Sequence, residues 1–196
     1  MSTTSLIKNK KELEKFKNYY LKKGNPRNYL LIIVGLNTAL RISDILHLQW
    51  KDLYHHEKKC FRKHIDLYEQ KTGKATSIAI NKAVKEAMLK LVEAEYGEKN
   101  FPPPETYVFR SGRNKSMPLS RYQAFRIIKD AAENTGLDEH ISCHSLRKTF
   151  GYFAWKQGVE PAMLMHIYNH SSYHITRRYL CIEQEDKDEV FMKINL

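Results

Sequence analysis

Cysteine is scarce and unpaired in this chain: Cys60, Cys143 and Cys181 are odd in number and far apart, with no spacing that suggests structural zinc or the disulfide framework of a secreted domain. A reducing cytoplasm is the natural setting. Long apolar runs are missing as well. The best of them, Tyr29 to Leu36, is far too short to cross a bilayer, and the opening Met1-Ser-Thr-Thr-Ser-Leu-Ile holds no signal-peptide apolar region, so nothing points to membrane insertion or export. No His-Glu-x-x-His pattern occurs, which leaves metal chemistry secondary even though His140, His144, His166 and His170 crowd one region. His166 and His170, four apart, can still face one another. Neither an internal repeat nor a long low-complexity segment is found. Acid is short relative to base: 22 Asp and Glu against 33 Lys and Arg leave a formal charge of +11. That excess fits a polyanionic partner, although solubility or attraction to a membrane surface would use the same charge.

What is present suits one core. A chain of 196 residues does not call for a second large domain. Lys11 to Lys22 places Leu13, Phe16, Tyr19 and Tyr20 at helical spacing, and Pro26 opens an apolar, central helix over about Asn28 to Thr38. Ser43 can cap a short helix through Leu48, which puts Arg41 in the tight connection before a helix start. Between Cys60 and Ile80 the pattern turns to short β-branched stretches broken by Lys71-Thr72-Gly73-Lys74, a small antiparallel sheet with a glycine turn. Asn81 caps a helix to about Tyr96, and Pro102 to Pro104 break the chain before a short apolar element over Tyr107 to Phe109. Ser120, Ser142, Pro161 and Ser172 each mark a further helix start. The fold class is mainly α with a small antiparallel β-sheet, an α+β domain. From Glu183 to Glu189 five acids and one lysine form a patch that DNA should avoid; it is either a surface that docks on another protein or a solvated helix face.

The chemistry-bearing residues cluster late. Arg41 and Arg147 carry permanent charge on a planar fork, so converging they can neutralise a phosphodiester as it becomes five-coordinate. Taken alone, each would be a surface or salt-bridge arginine. His144 shares a helix face with Arg147, and His170 sits in a junction; both can donate to the same oxygens or handle a proton near neutrality. Tyr179 is a late tyrosine whose phenol, with an intrinsic pKa of about 10, needs a base or a positive pocket to act as nucleophile. Most tyrosines simply pack, and Tyr173 is the nearest decoy. Lys71 at the hairpin tip can protonate a departing sugar oxygen; Lys74 is its rival, and both could merely touch the DNA backbone. Arg121 and Arg126 are candidates for phosphate contact, or ordinary surface charge.

These motifs together resemble the tyrosine recombinase family, the phage-integrase-like enzymes, in its catalytic domain. Thr38-Ala-Leu-Arg41-Ile-Ser-Asp44 is similar to the box of the first arginine, Lys71-Thr-Gly to the hairpin of the catalytic lysine, and His144-Ser-Leu-Arg147-Lys-Thr-Phe to the central box. Asn169-His170-Ser-Ser and Arg178-Tyr179 are similar to the closing histidine and nucleophile boxes, and all five occur in family order. The resemblance implies cleavage of double-stranded DNA through a covalent 3′-phosphotyrosine and strand exchange with neither metal nor ATP, hence no cofactor. It assigns Arg41, Arg147, His144 and His170 to the scissile phosphate, Lys71 to general acid catalysis, Tyr179 to nucleophilic attack and Asp44, with Lys74, to supporting roles. Lys74, Arg121 and Arg126 are the DNA-backbone candidates. Four protomers on two DNA sites are implied, with the state before DNA binding open between a monomer and an oligomer, with room for an accessory DNA-bending or regulatory protein and with no membrane partner. The expected organisation is one catalytic domain over 1–182 and a tail over 183–196 that packs on a neighbouring protomer, without a separate N-terminal core-binding domain. That shortness suits either a short member, as in the fimbrial-switch inversion enzymes, or an excised catalytic domain. One departure stands out: Asn169 occupies the position of the usual glycine, and asparagine tolerates left-handed geometry better than most residues. A catalytically silent DNA-binding regulator and a type IB topoisomerase-like enzyme would use the same scaffold.

Overall fold

Asn25 and Pro26 start the helix on which the rest is assembled. The Asn25 side chain accepts from the Asn28 amide at 3.1 Å, Pro26 supplies a pre-set φ at the first turn, and Leu30 to Val34 follow as a fully buried run. In the computed structural model, which describes residues 4–98, 100–182 and 184–194, this helix α2 (Pro26–Thr38) packs against α1 (Lys10–Lys22), α5 (Lys82–Tyr96) and α7 (Cys143–Lys156). Each such Leu or Ile contributes about 1.5–3 kcal/mol through burial, so α2 carries much of the core. At Gly35 a Cβ would run into Leu146, and this close approach brings α7, with Arg147 next to Leu146, against the C-terminal end of α2.

The remaining elements are α3 (Ile42–Leu46), α4 (Trp50–Leu53), β1 (Tyr54–His55), β2 (Cys60–Phe61), β3 (His64–Tyr68), β4 (Ala75–Ala79), α6 (Arg121–Asn134), α8 (Pro161–Ile167), α9 (Tyr173–Leu180) and α10 (Gln184–Lys193). The α+β expectation holds, with two differences. The single sheet read over Cys60 to Ile80 is two hairpins: Cys60 and Phe61 pair back onto His55 and Tyr54, while β3 and β4 pair from His64↔Ala79 to Tyr68↔Ala75. Aromatic packing explains the split, since Tyr54 stacks on Phe101 at 3.7 Å and meets Phe61 edge-on at 5.7 Å. The second difference concerns Ser43, which lies inside α3 instead of capping it. Arg41 holds the N-cap position, its carbonyl accepting from the amides of Asp44 and Ile45 at 2.9 and 3.1 Å, because Ala39 ends α2 abruptly in left-handed conformation (φ 55).

A main core spans α1 to α7, and a smaller cluster of Ala39, Leu164, Tyr168 and Leu180 packs under α8 and α9. Gly151 on α7 admits Tyr168 and Leu180 so closely that any Cβ there would collide with the Tyr168 ring. The tail begins as α10, where buried Asp186 accepts from Tyr152 at 3.1 Å and pairs with Lys156 at 2.9 Å, while Val190, Phe191 and Met192 stand exposed. The tail residues Glu183, Asn195 and Leu196 lie outside the described residues, as does the side chain of Arg178. No helix among the described residues is long and apolar enough to cross a membrane.

Candidate active site

A cleft of about 630 Å³ is lined by Arg41, Lys71, Arg121, Phe125, His144 and Arg147, among others. The α7 N-terminus opens into it through Ser142, Cys143 and His144, so the partial positive charge of a 14-residue helix adds to the arginines and favours an anion there. Ser145, fully buried, accepts from the Ser142 amide at 2.9 Å and fixes that helix start.

Arg147 is buried at 3 % exposure, its guanidinium held rather than floating. One terminal nitrogen donates to the Ala39 carbonyl, the other to the Tyr168 carbonyl at 3.1 Å, and the Tyr168 ring lies 4.8 Å beneath it. Tyr168 in turn donates to the Arg147 carbonyl at 2.9 Å. The left-handed turn at Ala39 directs its carbonyl to this fork, which is strain placed where it orients a charge. Asn169 also adopts left-handed geometry (φ 54), so the residue standing in for glycine makes the same kind of turn before His170.

Arg41 is anchored from the hairpin side. Its Nη1 pairs with Glu69 at 2.6 Å, and Glu69 is 2 % exposed. Burial pushes the Glu69 carboxyl up, but the Thr72 hydrogen bond and then the Arg41 charge outweigh that and hold it below its ordinary value. Asp44 acts nearby: its buried carboxylate accepts from the Gln70 amide at 2.9 Å, tying α3 to the residue before Lys71. Lys71 lines the cleft, while Lys74, equally exposed, is not among its lining residues. Arg121 borders the cleft; Arg126 is exposed on α6 outside its lining.

Tyr179 reaches the same place from α9. Its ring sits 4.9 Å from His144 and 5.2 Å from His170, both edge-on, and 4.9 Å from Tyr168. Its hydroxyl lies 3.4 Å from His144 Nδ1. His170 Nδ1 is engaged by the buried Thr176 hydroxyl at 3.0 Å, which leaves Nε2 as the nitrogen available to a ligand. Tyr173, by contrast, is 50 % exposed at the start of α9. Burial raises the Tyr179 phenol above its ordinary value and wins over the opposing Arg147 and Arg41 charges, so the unliganded protein keeps it protonated. The histidines move the other way. Desolvation first, then the Arg147 charge, bring both His144 and His170 down to about 4, so at neutral pH each is an uncharged imidazole.

That depression has a stability consequence. Between the folded value of about 4 and the ordinary 6.5, the unfolded chain binds more protons than the folded one, so stability falls as pH drops through this window. The thermal midpoint of DNA-free protein is expected to decline from pH 7 to pH 5, above the range where carboxylates titrate. A His144→Gln/His170→Gln double variant should decline less; parallel curves would contradict the assignment.

Arg41, Lys71, His144 and Arg147 thus line one cleft, Tyr179 packs on His144 with His170 beside it, and Asp44 holds the hairpin behind Lys71. Sequence reading missed Glu69 and Thr176, which hold Arg41 and His170, and Tyr168, which holds Arg147. An acid directly before Gln70-Lys71 and a threonine in the run before Tyr179 are the signals the sequence offered, and neither announces its burial. Among the described residues no group of three or more His, Cys, Asp or Glu is placed to hold a metal ion, and His166 faces a separate cavity of about 270 Å³ with Glu69 and Asn169.

Comparison with known proteins places the chain in a family. The sequence model of the Phage integrase family matches residues 8–185. "Probable integrase/recombinase YoeC" of Bacillus subtilis (strain 168) is 41% identical over 179 residues, covering 91% of this chain and 90% of that protein. Among solved structures, XerA recombinase superposes with a TM-score of 0.77 at 17% identity over 100% of this chain and 66% of that one. XerH site-specific recombinase bound to palindromic difH substrate, in a post-cleavage complex, gives 0.76 at 20% identity over 97% of this chain and 52% of that one. The chain therefore spans about half to two thirds of those solved recombinases and nine tenths of the Bacillus protein.

Proposed function

The chain belongs to the phage integrase family and is a tyrosine-type site-specific DNA recombinase, and from that premise we propose that Tyr179 is its nucleophile and that Arg41, Lys71, His144, Arg147 and His170 complete the site. The observation that carries the proposal is the packing of the Tyr179 ring between His144 and His170, beside a buried arginine whose orientation is fixed by two carbonyls.

The scissile phosphate enters the cleft with its non-bridging oxygens on Arg41, Arg147 and the His170 Nε2. The phosphate's negative charge opposes a free phenolate, so Tyr179 ionises only as it attacks, and neutral His144, through Nδ1, accepts its proton in the same step. The Tyr179 oxygen forms a bond to phosphorus as the bond to the 5′ oxygen breaks. Lys71 protonates that oxygen, leaving a 3′-phosphotyrosine and a free 5′-hydroxyl. Attack by a 5′-hydroxyl from a second duplex reverses each proton transfer and releases Tyr179. One phosphodiester replaces another, so the bond energy is conserved. Arg121, Arg126 and Lys74 contact the DNA backbone around the cleft.

The assembly we infer is four protomers on two double-stranded DNA sites in the cytoplasm, monomeric before DNA binding and open to an accessory DNA-bending or regulatory protein. Residues 1–182 form the catalytic unit, and the tail over 183–196, held to its own protomer at Asp186, packs on a neighbouring protomer through exposed Val190, Phe191 and Met192. The solved relatives' DNA complexes support the DNA partner. The test is strand exchange between two labelled duplexes that carry a candidate site from the neighbouring genome. Hybrid products that require the site in both duplexes are expected. Relaxation of any plasmid without site dependence, or specific binding with no covalent product, would contradict the reading.

A further inference from the structure

Glu69 costs free energy to bury. A carboxylate at 2 % exposure needs partners, and it has two: Oε2 accepts from the Thr72 hydroxyl at 2.6 Å and is ion-paired with Arg41 Nη1 at 2.6 Å, a contact of charges without the alignment of a hydrogen bond. Thr72 directly follows Lys71, and the hairpin turn closes around Glu69 itself: its amide donates to the Lys74 carbonyl at 2.9 Å and its carbonyl accepts from Gly73 at 2.8 Å. Residues 70–74 are otherwise exposed. Apart from the Gln70 amide on Asp44, the Glu69 carboxylate is what fastens this turn to the phosphate-binding face.

We infer that Glu69 is a positioning residue that locks the turn bearing Lys71 to Arg41, so that general acid and phosphate-binding arginine move as one unit. Arg41 spends one nitrogen on this lock and keeps the rest of its five-donor fork for phosphate. A lysine on an unlocked turn would sample the leaving oxygen rarely, and proximity is most of what a general acid on a flexible stem lacks. The inference rests on the reading of Lys71 as general acid.

The test compares single-turnover cleavage of two suicide duplexes by the full chain, one ordinary and one with sulfur in place of the bridging 5′ oxygen. A thiolate leaves without a proton, since its conjugate acid is far more acidic than an alcohol. Glu69→Ala should cleave the ordinary duplex about 10- to 100-fold more slowly at unchanged DNA affinity, and should recover to within about 3-fold of wild type on the sulfur duplex. Glu69→Gln keeps the volume and an acceptor for Thr72; a smaller loss with the same recovery is expected, and this variant carries the test should Glu69→Ala not fold. Loss of equal size on both duplexes, or no loss on either, overturns the inference. Lys71→Ala is the internal reference. Its recovery on sulfur with no recovery of the Glu69 variants defeats the lock alone, whereas its own failure to recover defeats the general-acid reading and the lock with it.

Discussion

Tyr179→Phe is expected to form no covalent protein–DNA product, a loss of at least about four orders of magnitude, because removing the attacking atom leaves no other path to a phosphotyrosine. The substitution deletes one oxygen and keeps the ring, so the edge-on contacts to His144 and His170 and the packing on Tyr168 survive. Folding and specific DNA binding should therefore match wild type. Among the described residues, the hydroxyl contact to His144 Nδ1 is lost. Tyr173→Phe is the matched control: that ring is half exposed and should leave the adduct unchanged. A nicked duplex that traps the cleaved state, resolved on a denaturing gel, reads both variants. A Tyr179→Phe protein that still forms the adduct would remove Tyr179 from the reaction.

Arg147→Lys should lower cleavage by about 10³-fold and also lower the thermal midpoint, a pair of effects that separates it from Arg41→Lys. The guanidinium of Arg147 divides its donors among the Ala39 carbonyl, the Tyr168 carbonyl and the space of the cleft. An ammonium presents three donors from a single point and cannot span two carbonyls and a phosphate together. The two carbonyls are buried, so leaving one unpaired costs about 1–3 kcal/mol of stability, in addition to the lost transition-state contact worth about 10²–10³ in rate. Arg41, whose side chain is 20 % exposed and which bonds to one carboxylate, should lose rate with a smaller change in midpoint. DNA affinity should barely change for either, because backbone phosphates contacted elsewhere supply most of it. Cleavage by Arg147→Lys within tenfold of wild type would contradict the account.

The helix starts at Pro26, Asn81, Ser120, Ser142 and Pro161 were legible because each is a local event, a side chain that meets an amide within one turn or a proline with its φ already set, while α9 follows Ser172 without a side-chain cap. The site residues were legible for a different reason, since arginine, histidine and tyrosine in that order carry a recognisable chemistry. What escaped depends on long-range geometry. Alanine ordinarily continues a helix, so nothing at Ala39 announced a left-handed turn whose carbonyl would orient Arg147. Glu69 reads as the outward residue after a strand, and only the docking of the hairpin on α3 buries it against Arg41. The split of the expected sheet has the same origin, because Tyr54 finds Phe101 from beyond α5. Asn169 shows the opposite case: the departure from the usual glycine was legible and left open whether the turn would change, and the left-handed φ of 54 shows that asparagine adopts it.

The most direct test of the central claim is to digest the trapped protein–DNA product with protease and nuclease and identify the modified peptide by mass spectrometry. The account predicts a nucleotide joined through its 3′ phosphate to Tyr179. A nucleotide on Tyr173 or any other residue, or specific binding to the correct site with no modified peptide at all, would contradict it.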